Sequence, residues 1–268
     1  MVLNNNAFEV ERPGDHSMTA SVAILGGPNS GKTTLLAALS HAYRERTSAG
    51  FLLEARNKEA GMELPKLWRR LRDDRQFPWA TFTGSLVEWD FHHMESRTRL
   101  NVMDFPGEVY ARTFSDGDFT KEDARALAGH ARRSSCALAL VDLEDLIDGP
   151  DCVWHHKAAL DFMRNNSCSA GIAIVLTKID RYQHVLDQCS GNWNDVIKRH
   201  LPGLLSAHPD VKVLGVSAVN RVVADKNGRE IPDMDFGSEG LDEVMRWIAS
   251  FIDDAADTGF RFSTSRPC

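Results

Sequence analysis

One stretch constrains the fold more than any other: the segment from Gly26 to Thr33, which reads GGPNSGKT. It fits the pattern G-x-x-x-x-G-K-[ST] at every fixed position. An aliphatic run over 21–25 precedes it, and a Leu- and Ala-rich segment over 34–43 follows it. The first run predicts a buried strand and the second a helix. A strand, a glycine-rich turn and a helix N-terminus in this order predict a phosphate-binding loop, because inward N–H groups and the helix dipole attract anions.

The loop also assigns expected roles to single residues. Lys32 is expected to reach the outer phosphates of a nucleoside triphosphate, and the Thr33 hydroxyl to bind Mg²⁺. The loop and the first helical residues together supply the expected phosphate contacts, which are Gly27, Asn29, Ser30, Gly31, Lys32, Thr33 and Thr34. The loop by itself does not distinguish ATP from GTP.

Composition narrows the class of protein. A length of 268 residues suits one large α/β domain or one domain with insertions. The net charge of −7 argues against a nucleic-acid-binding surface, so no nucleic acid partner is expected. The five cysteines lack C-x-x-C spacing, which argues against a zinc site and a disulfide framework and favours a cytoplasmic location. No run approaches the length of a membrane span.

The order of segments predicts the architecture. Residues 1–17 lack the apolar core of a signal peptide and are expected to form a flexible leader, and 254–268 a flexible tail. Between them, strand-like and helical segments alternate over 18–253, with a helical insert at about 44–80. This alternation predicts a single α/β domain with a doubly wound, mostly parallel sheet and helices on both faces.

Three further motifs follow predicted strands. Asp104-Phe105-Pro106-Gly107 ends the second strand of an expected hairpin over 85–104. Thr177-Lys178-Ile179-Asp180 follows a buried apolar run, and Ser217-Ala218 follows another. Because ligands of such sheets bind beyond the carboxyl ends of the strands, we expect all of these segments to meet the phosphate-binding loop in one cleft.

Taken together, the loop, D-x-x-G, T-K-x-D and S-A resemble the motifs of a Ras-like P-loop GTPase of the translation-factor-related class, over about residues 20–252. The resemblance implies GTP and GDP as ligands, with Mg²⁺. Asp180 would accept hydrogen bonds from guanine, Lys178 would lay its stem along the base, and Ala218 would offer its N–H to the guanine O6. The base contacts implied are Thr177, Lys178, Asp180, Ser217 and Ala218.

The same resemblance implies roles near the γ-phosphate. Asp104 would hold Mg²⁺ through a water, and the Gly107 N–H would sense the γ-phosphate. A switch threonine that completes the Mg²⁺ ligands is expected before the strand at Ser85. Thr81 and Thr83 both qualify, and we prefer Thr81 because it leaves room for the chain to turn into the strand.

Two residues depart from the Ras-like pattern. Glu108 stands where such proteins usually carry Gln. It either orients the attacking water as a base or pairs with Arg112 and takes no part. Asn29, in G-x-P-N-x-G-K-[ST], resembles a residue that holds K⁺ in a group of bacterial GTPases. The alternative is that Asn29 suits a tight or left-handed turn.

The segment D-F-P-G-E, the long insert and Phe77-Pro78-Trp79 also resemble the bacterial double-GTPase families, whose members are thought to act as switches beside protein partners. The resulting hypothesis is a GTP-binding switch with slow intrinsic hydrolysis, read by a protein effector or activated by a GTPase-activating partner. An ATP-dependent P-loop enzyme is the first alternative, but it leaves Ser217-Ala218 without a role. A nucleotide-binding scaffold with little or no hydrolysis is the second.

Two features of the sequence carry a weaker signal. The pairs His92-His93 and His155-His156 are not expected to form metal sites, because neighbours on a strand or helix point apart. Asp142, at the end of a buried strand, either faces the nucleotide cleft or caps the next element.

Overall fold

A computed structural model describes residues 18–47, 50–78, 84–117, 120–148, 153–166, 171–219, 221–233 and 237–257. The strands in these ranges are β1 (Met18–Gly26), β2 (Leu52–Ala55), β3 (Ser85–His93), β4 (Ser96–Asp104), β5 (Cys136–Asp142), β6 (Gly171–Thr177), β7 (Lys212–Val216), β8 (Val222–Ala224) and β9 (Glu230–Pro232). The α-helices are α1 (Lys32–Ala42), α2 (Leu64–Arg72), α3 (Gly107–Ser115), α4 (Glu122–Arg133), α5 (Leu143–Asp148), α6 (Val153–Asn166), α7 (Gln183–Gln188), α8 (Trp193–His200), α9 (Leu204–Ala207) and α10 (Leu241–Asp257).

The main sheet has seven strands in the order β2-β3-β4-β1-β5-β6-β7. β1 pairs in parallel with both β4 and β5, and β6 continues the parallel pairing from β5 to β7. β3 pairs antiparallel with both β2 and β4. The expected α/β architecture and the hairpin over 85–104 are therefore confirmed.

Helices cover both faces of the sheet, which explains why the central strands are apolar throughout. Val22 and Ile24 of β1 pack on the face covered by α1, α2 and α10. Ala23 and Leu25 point to the opposite face, under α3, α4 and α6. Every residue of β5 is buried, as expected for a parallel strand between two helical layers.

The insert over 44–80 is more varied than the helix expected from its sequence. It contains the edge strand β2, in which Leu53 pairs with Phe91, then a π-helical turn at Glu59–Glu63, and then α2. Trp68 of α2 is buried and stacks on His41 of α1, with 4.6 Å between ring centroids. The insert therefore extends both the sheet and one of its helical layers.

Three local features differ from what the sequence predicts, and a fourth agrees with it. The polar stretch over 112–118 predicts a loop, but α3 continues through it to Ser115. The sequence over 183–201 predicts a helix with a kink or a break at Gly191, and the structure has a break there, between α7 and α8, with a φ of 72° at Gly191. The β8–β9 hairpin has strands of only three residues, too short to show alternation in the sequence. Finally, α10 continues to Asp257, beyond the boundary at 253.

Candidate functional site

A cleft of about 430 Å³ opens at the carboxyl ends of β1, β4, β6 and β7. It brings together all four motifs, although the loop and the Ser217-Ala218 pair are far apart in sequence. The motif residues that line it are Asn29, Ser30, Gly31, Lys32, Thr33, Thr34, Gly107, Glu108, Thr177, Lys178, Asp180, Ser217 and Ala218. The sequence predicts that the motifs meet here, because each motif follows a strand of the same sheet.

The phosphate-binding loop has the backbone geometry that its glycines suggest. Gly31 has φ 81° and caps the start of α1, a left-handed conformation that glycine adopts at no cost. Asn29 is exposed and also left-handed, with φ 58°. The turn alternative for Asn29 is thereby supported, because Asn tolerates this conformation better than most residues.

Lys32 is buried inside the loop. Its Nζ donates hydrogen bonds to the carbonyl oxygens of Gly26 at 2.9 Å and Gly27 at 2.8 Å, and to Ser30 Oγ at 3.3 Å. Burial lowers the pKa of Lys32 to about 8, while the carboxylates of Asp104 and Glu108 act in the opposite direction. A phosphate near Nζ would favour the charged form for the same Coulombic reason.

Thr33 and Asp104 form a paired oxygen site at the foot of the loop. The Thr33 hydroxyl donates to Asp104 Oδ2 at 2.8 Å. Asp104 Oδ1 is buried, and the described residues offer it no hydrogen-bond partner. Burial raises the pKa of Asp104, so a nearby cation would strongly favour its ionised form. Hard oxygen donors with one unsatisfied carboxylate oxygen fit Mg²⁺. Thr81, the expected third ligand, and Thr83 lie outside the described residues.

The D-x-x-G segment lies directly against the phosphate-binding loop. A Cβ built on Gly107 would stand 2.3 Å from the backbone N of Pro28, so only glycine fits there. Glu108 follows in the first turn of α3, exposed and at the wall of the cleft. Arg112 donates to Asp123 of α4, which does not support the pairing with Glu108 that the sequence left open.

At the other end of the cleft, Asp180 is positioned by Ser217. The Ser217 hydroxyl lies 2.7 Å from Asp180 Oδ1 and 2.6 Å from the carbonyl oxygen of Val219, and it shares its one proton between these two acceptors. The contact with Asp180 joins the T-K-x-D and S-A motifs. Lys178 has a left-handed backbone, with φ 59°, and its Nζ lies 2.5 Å from Asp142 Oδ2. Asp142 Oδ1 accepts the N–H of Glu144, so Asp142 caps α5 and also anchors Lys178.

Several residues at the cleft lie outside the four motifs. Phe77 and Pro78 line it from the end of the insert. Arg181, Val222 and Glu230 line the end that holds Asp180. Arg181 directly follows the T-K-x-D motif and could have been proposed from its position. Val222 and Glu230, on the strands of the β8–β9 hairpin, lie in segments whose sequence does not indicate a site.

The adjacent histidines of α6 contact each other, contrary to the expectation that such neighbours point apart. His155 Nε2 lies 3.1 Å from His156 Nε2, and His156 Nδ1 lies 3.1 Å from the Tyr110 hydroxyl of α3. The described residues offer the buried Tyr110 O–H no other acceptor, so it donates to Nδ1, and His156 Nε2–H donates to His155. A Cβ on Gly27 would lie 3.7 Å from His155 Nε2, which places this chain of contacts behind the loop. The histidines meet because both rings turn toward the buried Tyr110.

Two features are absent from the described ranges. No group of three or more His, Cys, Asp or Glu side chains there could hold a metal ion. No helix in the same part of the chain is long and apolar enough to cross a membrane.

The fold and the cleft define a P-loop protein of the GTP-binding class, with the loop at one end and the T-K-x-D and S-A segments at the other. The sequence model of the Double-GTPase 2 family matches residues 20–231. The chain therefore belongs to the Double-GTPase 2 family. No curated protein sequence matches it.

Two solved structures are similar to the chain at a low level. One is Roco2 RocCORdC of Methanosarcina barkeri bound to GDP, with a TM-score of 0.45, 16% identity, and coverage of 88% of this chain and 49% of that one. The other is a bacterial selenocysteine-specific elongation factor, EF-Sec, with a TM-score of 0.45, 19% identity, and coverage of 88% and 29%. The chain thus spans about half of the first structure and less than a third of the second.

Proposed function

We propose that this chain is a molecular switch that binds GTP and hydrolyses it to GDP and phosphate with the help of Mg²⁺. The observation that carries the proposal is the single cleft in which the loop around Lys32 faces Asp180 and Ala218. The output would be a change in two segments, 77–83 and 105–118, when the γ-phosphate is present, and a protein effector or a GTPase-activating partner would read it. Because α3 is already formed over Gly107–Ser115, the change in the second segment would be a shift of this helix and its flanking residues.

Guanine selectivity would come from the Asp180 carboxylate. Its two oxygens can accept from the N1–H and the amino group of guanine, which adenine does not offer in that arrangement. The hydrogen bond from Ser217 fixes the orientation of this carboxylate before the base arrives. The ion pair with Asp142 holds the Lys178 ammonium, so that the methylene stem is free to cover the base. The backbone N–H of Ala218 would complete recognition at O6.

Phosphate binding would exchange internal contacts for contacts with the nucleotide. Lys32 would give up the loop carbonyls and bind the β- and γ-phosphates, while Gly107 would donate its N–H to the γ-phosphate. Thr33 and Asp104 would hold Mg²⁺, with Thr81 as the proposed third ligand, and the ion would neutralise charge on the phosphates. The close contact of Gly107 with the loop supports this proposed role.

Hydrolysis requires a water directed at the γ-phosphorus. Glu108 is the proposed residue for this step, because it is exposed at the cleft while Arg112 is engaged by Asp123. The water oxygen would form a bond to the γ-phosphorus while the bond from that phosphorus to the bridging oxygen breaks. The proton of the water would pass, directly or through Glu108, to the released phosphate, which gives GDP and inorganic phosphate. Lys32 would stabilise the charge that develops on the bridging and γ-phosphate oxygens. We place the protein in the cytoplasm, where its buried thiols Cys136 and Cys189 remain reduced.

Calorimetry with GTP, GDP and ATP in parallel tests the proposal. We expect GTP and GDP to bind, and ATP to bind at least about 100-fold more weakly, because the base-reading carboxylate has no partner on adenine. Asp180→Asn should shift the preference from GTP toward xanthosine triphosphate, and Asp210→Asn, on an exposed turn, is the control. Equal GTP affinity in the Asp180→Asn variant and the unaltered protein would show that the guanine assignment is wrong, and tight ATP binding would favour the ATP-dependent enzyme.

A nucleotide-binding scaffold without hydrolysis is the second candidate. The observation that favours it is the carboxylate of Glu108, whose charge would be repelled by the γ-phosphate. Single-turnover hydrolysis of GTP, measured with and without K⁺, separates the two. A Glu108→Gln variant that hydrolyses GTP faster than the unaltered protein would support the scaffold, and a slower variant would support Glu108 as the water-orienting residue.

A further inference from the structure

The β8–β9 hairpin stands at the end of the cleft that holds Asp180, and none of the motifs accounts for it. Its strands pair antiparallel, with Val223 opposite Ile231. Val222 and Glu230 line the same cleft as Lys178 and Asp180. After Ser217-Ala218, the chain therefore returns to the cleft and adds an outer wall to its base end.

An ion pair connects this wall to the segment that carries Asp180. Arg181 Nη2 donates to Glu230 Oε2 at 2.7 Å. The Arg181 side chain is 23% exposed and that of Glu230 is 63% exposed. Arg181 belongs to the short 3₁₀ turn Ile179–Arg181, so its backbone moves with that of Asp180. The ion pair thus links the hairpin to the turn that carries Asp180.

The contact also belongs to a larger rim of charges. Arg181 Nη1 lies 3.6 Å from Glu144 Oε2, and Lys178 Nζ lies 3.3 Å from the same oxygen. Glu144 is on α5, so three separate segments meet around Arg181. This rim follows the edge of the cleft at the base end, where a bound nucleotide would be open to solvent.

We propose that the β8–β9 hairpin is a strap across the base end of the guanine-nucleotide site, and that the Arg181–Glu230 contact fastens it and slows nucleotide release. The inference rests on the proposed function and adds the element that retains the ligand. Arg181 and Glu230 are positioning residues, since they act on the nucleotide through the hairpin and through Asp180. A partly exposed ion pair is weak, so the expected change in the release rate is about three- to fivefold.

The sign of the effect of Glu230→Gln separates the strap from simple electrostatics. Glu230 is a negative charge at the wall of a site for a polyanion. If its contact with Arg181 has no effect on release, neutralising Glu230 would leave the GDP release rate unchanged or lower it. If it fastens the strap, the same substitution makes release faster.

The test measures the dissociation rate of fluorescently labelled GDP from the full chain by displacement with excess unlabelled GDP. We expect Glu230→Gln and Arg181→Gln each to raise this rate about three- to fivefold, with a smaller change in the association rate. The charge exchange Arg181→Glu with Glu230→Arg is made together with Glu144→Gln, so that no carboxylate faces the new glutamate. It should return the rate to within about twofold of the Glu144→Gln variant, because it restores the ion pair. Glu243→Gln, on α10 and away from the cleft wall, is the matched control and should change nothing.

The outcomes distinguish this inference from the function on which it rests. An unaltered chain that binds no GDP overturns both. If the unaltered chain binds GDP and Glu230→Gln leaves release unchanged or slows it, the strap is wrong and the proposed function stands. The strap proposal is also wrong if the two charge reversals change the GDP dissociation rate additively, so that the double exchange does not restore it. The midpoint of thermal unfolding is also measured for each variant without nucleotide. A midpoint within about 2 °C of that of the unaltered protein shows that the variant retains the fold.

Discussion

The two ends of the cleft are built in different ways. At the phosphate end, Ser30, Lys32 and Asp104 are buried, and most of their contacts stay within the loop from Gly26 to Thr33. At the base end, Lys178 and Arg181 make partly exposed ion pairs with carboxylates from other segments. One end is a local, buried structure, and the other is assembled at the surface from distant parts of the chain.

The difference indicates which properties each end can control. Buried contacts in a low-dielectric environment are strong and little affected by salt, so we expect the phosphate end to control whether a nucleotide binds at all. Exposed ion pairs are weak and screened, so the base end can adjust selectivity and residence time without loss of the fold. Three predictions test this division, from the largest expected effect to the smallest.

Lys32→Ala should weaken GTP binding by at least about 100-fold, because it removes charge-assisted hydrogen bonds to the phosphates. The base end should be intact in this variant, so the weak binding that remains should still favour GTP over ATP. Calorimetry at high nucleotide concentration measures both quantities, and Lys66→Ala on the exposed face of α2 is the control. Residual binding without any guanine preference would contradict the independence of the two ends.

His156→Gln should make stability less dependent on pH, because it removes a buried imidazole behind the phosphate end. Burial lowers the pKa of His156 to about 3, and the neighbouring His155 contributes in the same direction. The unfolded chain takes up this proton at its ordinary pKa of about 6.5. The stability contribution is therefore complete above about pH 6.5 and is lost progressively as the pH falls toward 3, by about 2 kcal/mol at pH 5.

Urea unfolding at pH 7 and pH 5 measures this effect. The unaltered protein should lose about 2 kcal/mol more than His156→Gln between the two pH values. His184→Gln, at an exposed site on α7, is the control and should behave as the unaltered protein does. An equal loss in the unaltered protein and in His156→Gln would mean that the histidine is not held neutral in the fold.

Two substitutions at Asn29 give the smallest expected effect. Its exposed, left-handed backbone indicates a turn role, so Asn29→Gly should keep the GTP hydrolysis rate within about twofold, with or without K⁺. Asn29→Ala should lower stability by about 1 kcal/mol, because alanine is strained at this φ. Loss of a potassium-stimulated rate in Asn29→Gly would instead make Asn29 a ligand of that cation.

Much of this protein follows from its sequence, because the deciding signals are local. The segment from Gly26 to Thr33 specifies its own turn, and Thr177 to Asp180 follows a strand whose apolar run is unmistakable. The order of strands and helices then places both at one edge of the sheet. The fold class, the family resemblance and the motif residues of the cleft come from these signals.

The tertiary structure decided the rest. Helix α3 begins at Gly107 against the phosphate-binding loop, a contact between segments that are separated in the chain. The same is true of Tyr110 with His156, of Lys178 with Asp142, and of Arg181 with Glu230. No periodicity or motif records such pairs, because each depends on how distant elements pack. The sequence by itself determined that the chain has a nucleotide cleft. The packing decided that Tyr110 and His156 lie behind its phosphate end and that the β8–β9 hairpin lies at its base end.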